Sequence, residues 1–579
     1  MIMPTSSSLA TSLLLTCLAL TSSAAPSGRR SDSSPYAPVS TTCPSSPLVR
    51  QATGISAEEA QYVAQRYEKA SEALREWLRS VDDGFDCGWG EGPHPGWWRR
   101  WQGQHGGWHG RRAPVIALTS SGGGYRAMLT GAGVIKGFDG REAEKTGVSG
   151  VYQALTYEAG LSGGSWLLSS IAGNNWPTIS SLEANLWETT LQDSLLVPEI
   201  LLSSAAAPIY AAIEADIQAK KDAGFQTSII DAWGRILSYA LLSGSDGGVR
   251  DTMSGLTSLS NFTGHAAPYP IITALGSNLL EDGVCIPQEL ATQYEFHPYE
   301  FGSWDSGVDA FVDIQYLGTS FSDGKPSTGH CVTGYDQLGY VFGTSSNVFG
   351  AVCSAVPAEN TTATSTLALV EDMAELVAPG AAGLPEEDIF GLYPNPFHAF
   401  PASSLVAGQE TLELVDGGVG TAPQGNPIWP FLHRAVDVII VSANSADTAA
   451  NFPNGSEIEN TYIAAEKEGI TRMPPIPSAD VFVSEHLNQK PTFFGCNTAE
   501  TVTIIFIPNY NYTYPSGQST DKIQYYVNET VGMIGNGVAI ANEGGKEGWP
   551  LCLACGIMKK SGERLPEGCE KCFMEYCYN

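Results

Sequence analysis

Basic residues are scarce in this chain. Against 61 Asp and Glu stand only 30 Lys and Arg, a formal net charge of -31 over 579 residues. At neutral pH such a molecule repels nucleic acid and anionic membrane surfaces. No nucleic-acid partner is expected, and a lipid partner should be zwitterionic or singly presented. Long apolar runs are missing too: LATSLLLTCLAL, residues 9–20, is too short to span a bilayer, so no transmembrane segment is read. H-E-x-x-H and EF-hand-like loops are absent, which predicts no metal, no cofactor and calcium-independent activity. There is no internal repeat, and CFMEYCYN at the C-terminus has no hydrophobic tail of the kind that signals a GPI anchor.

What is present is enough to fold. With 43% hydrophobic and 10% aromatic residues, the chain can bury one very large core or two ordinary ones. The apolar run at 9–20 is followed by Ser22, Ser23, Ala24 and Ala25, the pattern of a secretory h-region and its cleavage zone. Residues 1–25 are therefore expected to be a signal peptide, and the product secreted and extracellular. Sequons at Asn261, Asn360, Asn454, Asn511 and Asn528 agree with that route and predict glycosylation. A Ser- and Pro-rich segment, 26–42, is expected to be flexible.

Of 12 cysteines, Cys17 would leave with the signal peptide, and an odd number remains. At least one free thiol or intermolecular bond is implied. The tail CLACGIMKKSGERLPEGCEKC carries two C-x-x-C pairs, which in a cytosolic protein would suggest a zinc ribbon. In an oxidising compartment the expected reading is disulfides pinning the tail to the body; their connectivity stays open.

Spacing predicts the elements. Tyr62, Val63, Tyr67, Ala70, Leu74 and Leu78 recur at helical intervals within 56–81, an amphipathic helix. The glycine-rich stretch from Cys87 to Arg112 concentrates Trp89, Trp97, Trp98, Trp101 and Trp108, packed on the domain or touching lipid. From Pro114 onward the grammar is strand, turn, helix: PVIALTS, then SGGG, then YRAMLTGAGVIKGF. YQALTYEAG and GSWLLSSIAG repeat it, and TLELVDGG and AVDVIIVSANS add further strands. Such units predict an α/β fold with a largely parallel central sheet, helices on both faces and the site at the carboxyl ends of the strands.

Two of these turns carry chemistry. Gly160 to Gly164 read GLSGG, the G-x-S-x-G pattern of a serine held on a sharp turn between strand and helix. A serine hydroxyl needs a base beside it, and acyl transfer needs donors aimed at the oxyanion. Gly122, Gly123 and Gly124, just ahead of a helix, can turn backbone N–H groups toward one point. A nucleotide loop is the rival for SGGGYR, but the Walker lysine and the G-x-G-x-x-G spacing are not met.

The segments SGGGYRAMLTGAG, GLSGGSW, PYEFGSWDSGVDAFVDIQYLGTSF, GTSSNVF and LVDGG together resemble, in this order, the secreted fungal lysophospholipase or phospholipase B family, which shares its catalytic domain with the cytosolic phospholipases. The resemblance runs from about Cys43 to the C-terminus, so 43–579 is expected to be one catalytic domain that includes the Cys-rich tail, with a nucleophile elbow and cap-like insertions. It implies hydrolysis of acyl esters of phospholipids and lysophospholipids, met transiently at a micelle or membrane surface, by a Ser/Asp dyad without catalytic histidine. The nucleophile falls on Ser162, the base on Asp416, the oxyanion glycines on Gly123 and Gly124, and the phosphate-facing arginine on Arg126. DGGVGTAPQGNPIWPF after the aspartate departs from the family's acidic run, a change in the loop rather than in the dyad.

Each assignment has a plain rival. Ser162 could cap a helix, Asp416 a turn, and Arg126 could serve a structural ion pair; Trp166 reads as core. An ordinary α/β-hydrolase triad would use His433 or His486, downstream of Asp416. An inactive secreted binding protein is the more distant alternative.

Overall fold

The apolar runs do become strands, and their burial on both faces explains why they show no alternation. The computed structural model describes residues 34–89, 112–277, 287, 291–349, 373, 376, 389–420 and 422–578. The signal segment, the tryptophans between 97 and 108, Asn360, Cys285 and Cys353 lie outside them.

Among the described residues one twelve-stranded sheet organises the body. In chain order its strands are β1 (Val49–Gln51), β2 (Ile116–Ser120), β3 (Leu155–Gly160), β4 (Tyr269–Gly276), β5 (Gln293–Phe296) and β6 (Glu300–Ser303). There follow β7 (Ala310–Asp313), β8 (Gly391–Pro394), β9 (Thr411–Val415), β10 (Val438–Ala443), β11 (Thr492–Phe494) and β12 (Thr503–Pro508). Spatially, β12, β10, β2, β3 and β4 form a parallel centre. The strands added outside that centre, including β11 and β5 to β7, pair antiparallel.

The register of β4 decides where the site lies. Ile272 pairs with Gly160 of β3 and with Phe296 of β5, while Leu275 pairs with Gln293 of β5 and Val415 of β9. Because a strand has two edges and β5 occupies one, β3 and β9 share the other. β3 runs parallel to β4 and β9 antiparallel, so their carboxyl ends meet head to head. Ser162 follows one end and Asp416 the other.

Helices surround this sheet. Helix α1 (Ala57–Val81) begins at Ser56, whose hydroxyl accepts from the Glu59 amide, and its buried Arg66 donates to the carbonyls of Leu155 and Gln153. Glu59 pairs with Arg434, which also holds Glu295; a buried cation shared by two carboxylates avoids the cost of an unpaired charge. Helices α2 (Gly124–Phe138) and α3 (Gly163–Gly173) follow β2 and β3. Helix α4 (Leu338–Ser345) lies beside β4, and α5 (Val527–Ala541) crosses α2.

That crossing depends on glycine. A Cβ on Gly537 would lie 2.2 Å from the Thr130 carbonyl oxygen, and one on Gly133 would lie 2.1 Å from that of Ile534. Both obstacles are backbone, which cannot rotate away. Gly537→Ala should therefore lower unfolding stability by about 3 kcal/mol, read as a fall in the denaturation midpoint. A shift no larger than that of Gly535→Ala, which meets nothing within 4 Å, would contradict this.

The tail is a disulfide-stapled helix pair. Cys552–Cys572 and Cys555–Cys569 join α6 (Trp549–Met558) to α7 (Gly568–Tyr576), and Cys496–Cys577 ties the tail to the sheet side. Cys43 pairs with Cys331, and among the described cysteines Cys87 is free. No cluster of potential metal ligands occurs among the described residues, and no described helix is long and apolar enough to cross a membrane.

One boundary needs correction. The expected flexible stretch 26–42 is ordered from Ser34 onward: Tyr36 is buried with its hydroxyl on Asp231, and Val39–Thr41 pairs with Cys331–Thr333. Burial of an aromatic ring and a strand pairing outweigh the Ser and Pro content that suggested a linker.

Candidate active site

Ser162 sits in a backbone conformation that side chains rarely adopt, φ 52° and ψ -123°, at the turn from β3 to α3. Such strain persists only where the surroundings enforce it, and here glycines do. A Cβ on Gly163 would lie 2.1 Å from the Gly124 carbonyl oxygen, and one on Gly164 would lie 2.0 Å from that of Ser120. The two glycine turns, after β2 and after β3, are thereby pressed together.

Asp416 arrives from the opposite direction. Its carboxylate accepts the Gly418 amide, 2.7 Å, and lies near enough to the Ser162 side chain for that hydroxyl to lower its pKa. It is buried, and burial pushes its pKa up to about 6, against the smaller lowering by these two donors. The loop beyond, where the sequence departs from the family it resembles, closes on itself through Gln424 N–H to the Gly417 carbonyl. Gly425 then accepts the Gly122 amide, 3.0 Å, so this loop also braces the glycine turn.

Gly123 has φ 132° and Gly124 φ 61°, both in the region that favours glycine. Their N–H groups head helix α2, where no intrahelical acceptor exists, and Gly124 lines the same pocket as Ser162. A Cβ on Gly122 would come within 3.2 Å of the Ser162 Cβ, which measures how close the turn approaches.

Arg126, expected to face a lipid phosphate, is fully buried. Its Nε donates to the Asn444 carbonyl, and its Nη1 to the Gln518 carbonyl and the Thr520 hydroxyl, at 2.9, 2.7 and 2.9 Å. Nη2 has no hydrogen-bond partner and lies 2.5 Å from where a Gly123 Cβ would be. The guanidinium thus ties residues 518–520 to the glycine turn from beneath.

The histidines of the triad alternative are elsewhere. His433 stacks on Trp304, ring centroids 5.3 Å apart, and its pKa falls to about 3 through burial and the nearby Arg434 and Arg472. His486 is exposed. Among the described residues no imidazole hydrogen-bonds Ser162 or Asp416.

Two positioning residues had escaped the sequence reading, although both stand in GTSSNVF. The Ser345 hydroxyl donates to the Thr273 carbonyl and accepts the Ser162 amide, 3.1 Å. The Asn347 carbonyl accepts the Asp416 amide, 3.1 Å, and its side-chain amide donates to Ile389 and Leu414. The end of α4 thereby holds both members of the pair, a long-range arrangement with no local signal.

The pocket before Ser162 is lined by Trp166, Trp233, Val348, Phe349 and Ile523 on its apolar side, and by Gly124, Tyr125, Ser346, Thr520, Asp521 and Lys522. Trp166 is buried as expected, and also forms this wall.

Comparison with known proteins points the same way. A family model described as the lysophospholipase catalytic domain matches residues 116–579. The chain is 36% identical over 570 residues to lysophospholipase 2 of Aspergillus fumigatus, covering 94% of this chain and 93% of that one. To lysophospholipase 1 of Saccharomyces cerevisiae it is 34% identical over 601 residues, covering 98% and 87%. In fold it is similar to human GIVD cytosolic phospholipase A2, with a TM-score of 0.64 at 16% identity over 91% of this chain and 72% of that one.

Proposed function

The chain belongs to the lysophospholipase family, and from that premise we propose that Ser162 and Asp416 act as a dyad on the acyl ester of phospholipids and lysophospholipids. Ser162 Oγ attacks the acyl carbon as its proton passes to Asp416. The amides of Gly123 and Gly124 stabilise the oxyanion, and Asp416 returns the proton to the departing glycerol oxygen. Water, deprotonated by the same carboxylate, then attacks the acyl-Ser162 ester; the bond from the acyl carbon to Ser162 Oγ breaks, Asp416 returns the proton to Oγ, and the fatty acid leaves. The observation that carries this reading is the meeting of the Ser162 turn and the Asp416 strand end on one edge of β4, with a buried carboxylate of pKa near 6 that the Ser162 hydroxyl acts on, closer to a working base at neutral pH than an ordinary aspartate at ~3.9.

The pH profile tests it. A base must be ionised, so kcat/KM for fatty-acid release should rise with pH through about 6 and level above it. On the acid side the slope should approach one decade per pH unit for a single proton. A profile flat from pH 5 to 7 in folded enzyme would exclude Asp416 as the base.

Secretion belongs to the same proposal, supported by the N-terminal pattern and the disulfides. Asn454, Asn511 and Asn528 are at least partly exposed, as a glycan requires. Asn261 fits least well, because its Nδ2 donates to the Asn175 carbonyl at 2.6 Å. Glycosidase treatment of the secreted protein should reduce its mass, and peptide mapping should find Asn511 and Asn528 occupied more fully than Asn261. An unmodified protein from a glycosylating host would count against this route. Contact with a lipid surface is also part of the reading: Tyr526, Val527 and Val531 are exposed apolar residues immediately beyond the pocket-lining segment 520–523.

A further inference from the structure

The pocket before Ser162 is lined by two kinds of surface. Its apolar side suits an acyl chain. Its polar side holds two adjacent charges of opposite sign, Asp521 and Lys522, the only charged residues among the described ones that line it. Lys522 is held in place: Nζ lies 2.5 Å from Glu529 Oε1, 3.3 Å from Gln518 Oε1 and 4.4 Å from the centre of the Tyr525 ring. Asp521 is exposed, and among the described residues its carboxylate has no hydrogen-bond or ion-pair partner. A charged pair of which one member is anchored and the other left open is complementary to a ligand that itself carries both signs.

We propose that Asp521 and Lys522 form a headgroup subsite for zwitterionic phospholipids, Lys522 contacting the phosphate and Asp521 the choline or ethanolamine ammonium. The proposal rests on Ser162 being the nucleophile, since the acyl ester must reach it through the same pocket. Consecutive Cα atoms lie about 3.8 Å apart, a scale commensurate with the short link between phosphate and ammonium. Buried Arg126 gains a role here: by holding Gln518 and Thr520 against the glycine turn, it registers the headgroup rim to the reacting carbonyl. The overall charge of -31 works in the same direction. A purely anionic headgroup meets repulsion from the whole molecule and from Asp521, whereas a zwitterion carries its own compensation.

The test compares lysophosphatidylcholine, lysophosphatidic acid and an uncharged monoacylglycerol, each as monomer below its micelle threshold. For Asp521→Asn, the ratio of kcat/KM for lysophosphatidylcholine to that for lysophosphatidic acid should fall about tenfold, mainly through KM. For Lys522→Gln, both phosphate-bearing substrates should lose about tenfold relative to monoacylglycerol, with recovery in Lys522→Arg. If Lys522→Gln does not fold, the exposed Asp521 decides alone. Ratios unchanged across the three substrates would overturn the subsite. Full activity of Ser162→Ala on all three would instead overturn the nucleophile assignment, so the two failures are distinguishable.

Discussion

Ser162→Ala and Asp416→Asn should each lower fatty-acid release by three orders of magnitude or more, with the fold retained. The first removes the attacking oxygen. The second keeps the shape of the side chain but replaces the carboxylate with an amide of negligible proton affinity, so in the proposed mechanism the Ser162 hydroxyl has no acceptor for its proton. The two losses should not add in the double variant, because both groups serve one step. His486→Ala and His433→Phe are the decisive controls. His486 is exposed, and Phe preserves the ring stacked on Trp304 while replacing an imidazole whose Nε2 has no hydrogen-bond partner. Both variants should keep activity within a few-fold of the parent. A folded His433→Phe as inactive as Ser162→Ala would restore the triad. Fatty-acid release from lysophosphatidylcholine, with circular dichroism on every variant, is the measurement.

Gly123→Ala should cost about a hundredfold or more in kcat. At φ 132° an alanine is strained, and its Cβ would lie 2.5 Å from Arg126 Nη2 and 2.8 Å from the Asn444 carbonyl oxygen. Relief requires the turn to move, and moving it takes the amides of Gly123 and Gly124 away from the oxyanion. In the proposed mechanism those donors act on charge that develops in the transition state, so KM should change much less than kcat. Gly408→Ala, with nothing within 4 Å, controls for a general effect of adding a methyl group. Equal losses in kcat and affinity would mean that Gly123 serves the pocket shape rather than the oxyanion. The thermal midpoint should be followed in parallel, since the strain also acts on stability.

Legibility in the sequence follows the range of the interactions. Strands β2, β3 and β10 and helix α1 were readable because apolar spacing is local. So was the elbow at Ser162, where glycine content signals a turn that other residues resist. The segment 34–42 was misread for the complementary reason: its order comes from Asp231 and from Cys331–Thr333, far along the chain. Arg126 illustrates the same limit. Its motif says nothing of the carbonyls of Asn444 and Gln518 that its guanidinium reaches, which are more than 300 residues away.

By itself the sequence determined the α/β class and the family resemblance, and it offered Ser162 and Asp416 as candidates, because composition, period and motif order are written residue by residue. Only the tertiary structure decided that Asp416 meets Ser162. That meeting comes from β3 and β9 ending head to head on one edge of β4, and strand register is set by packing across the sheet. It also decided that Ser345 and Asn347 hold the pair and that Arg126 lies beneath the rim. The pKa of Asp416 near 6 belongs to the fold as well, since an aspartate acquires it only when surrounding chain excludes water from its carboxylate.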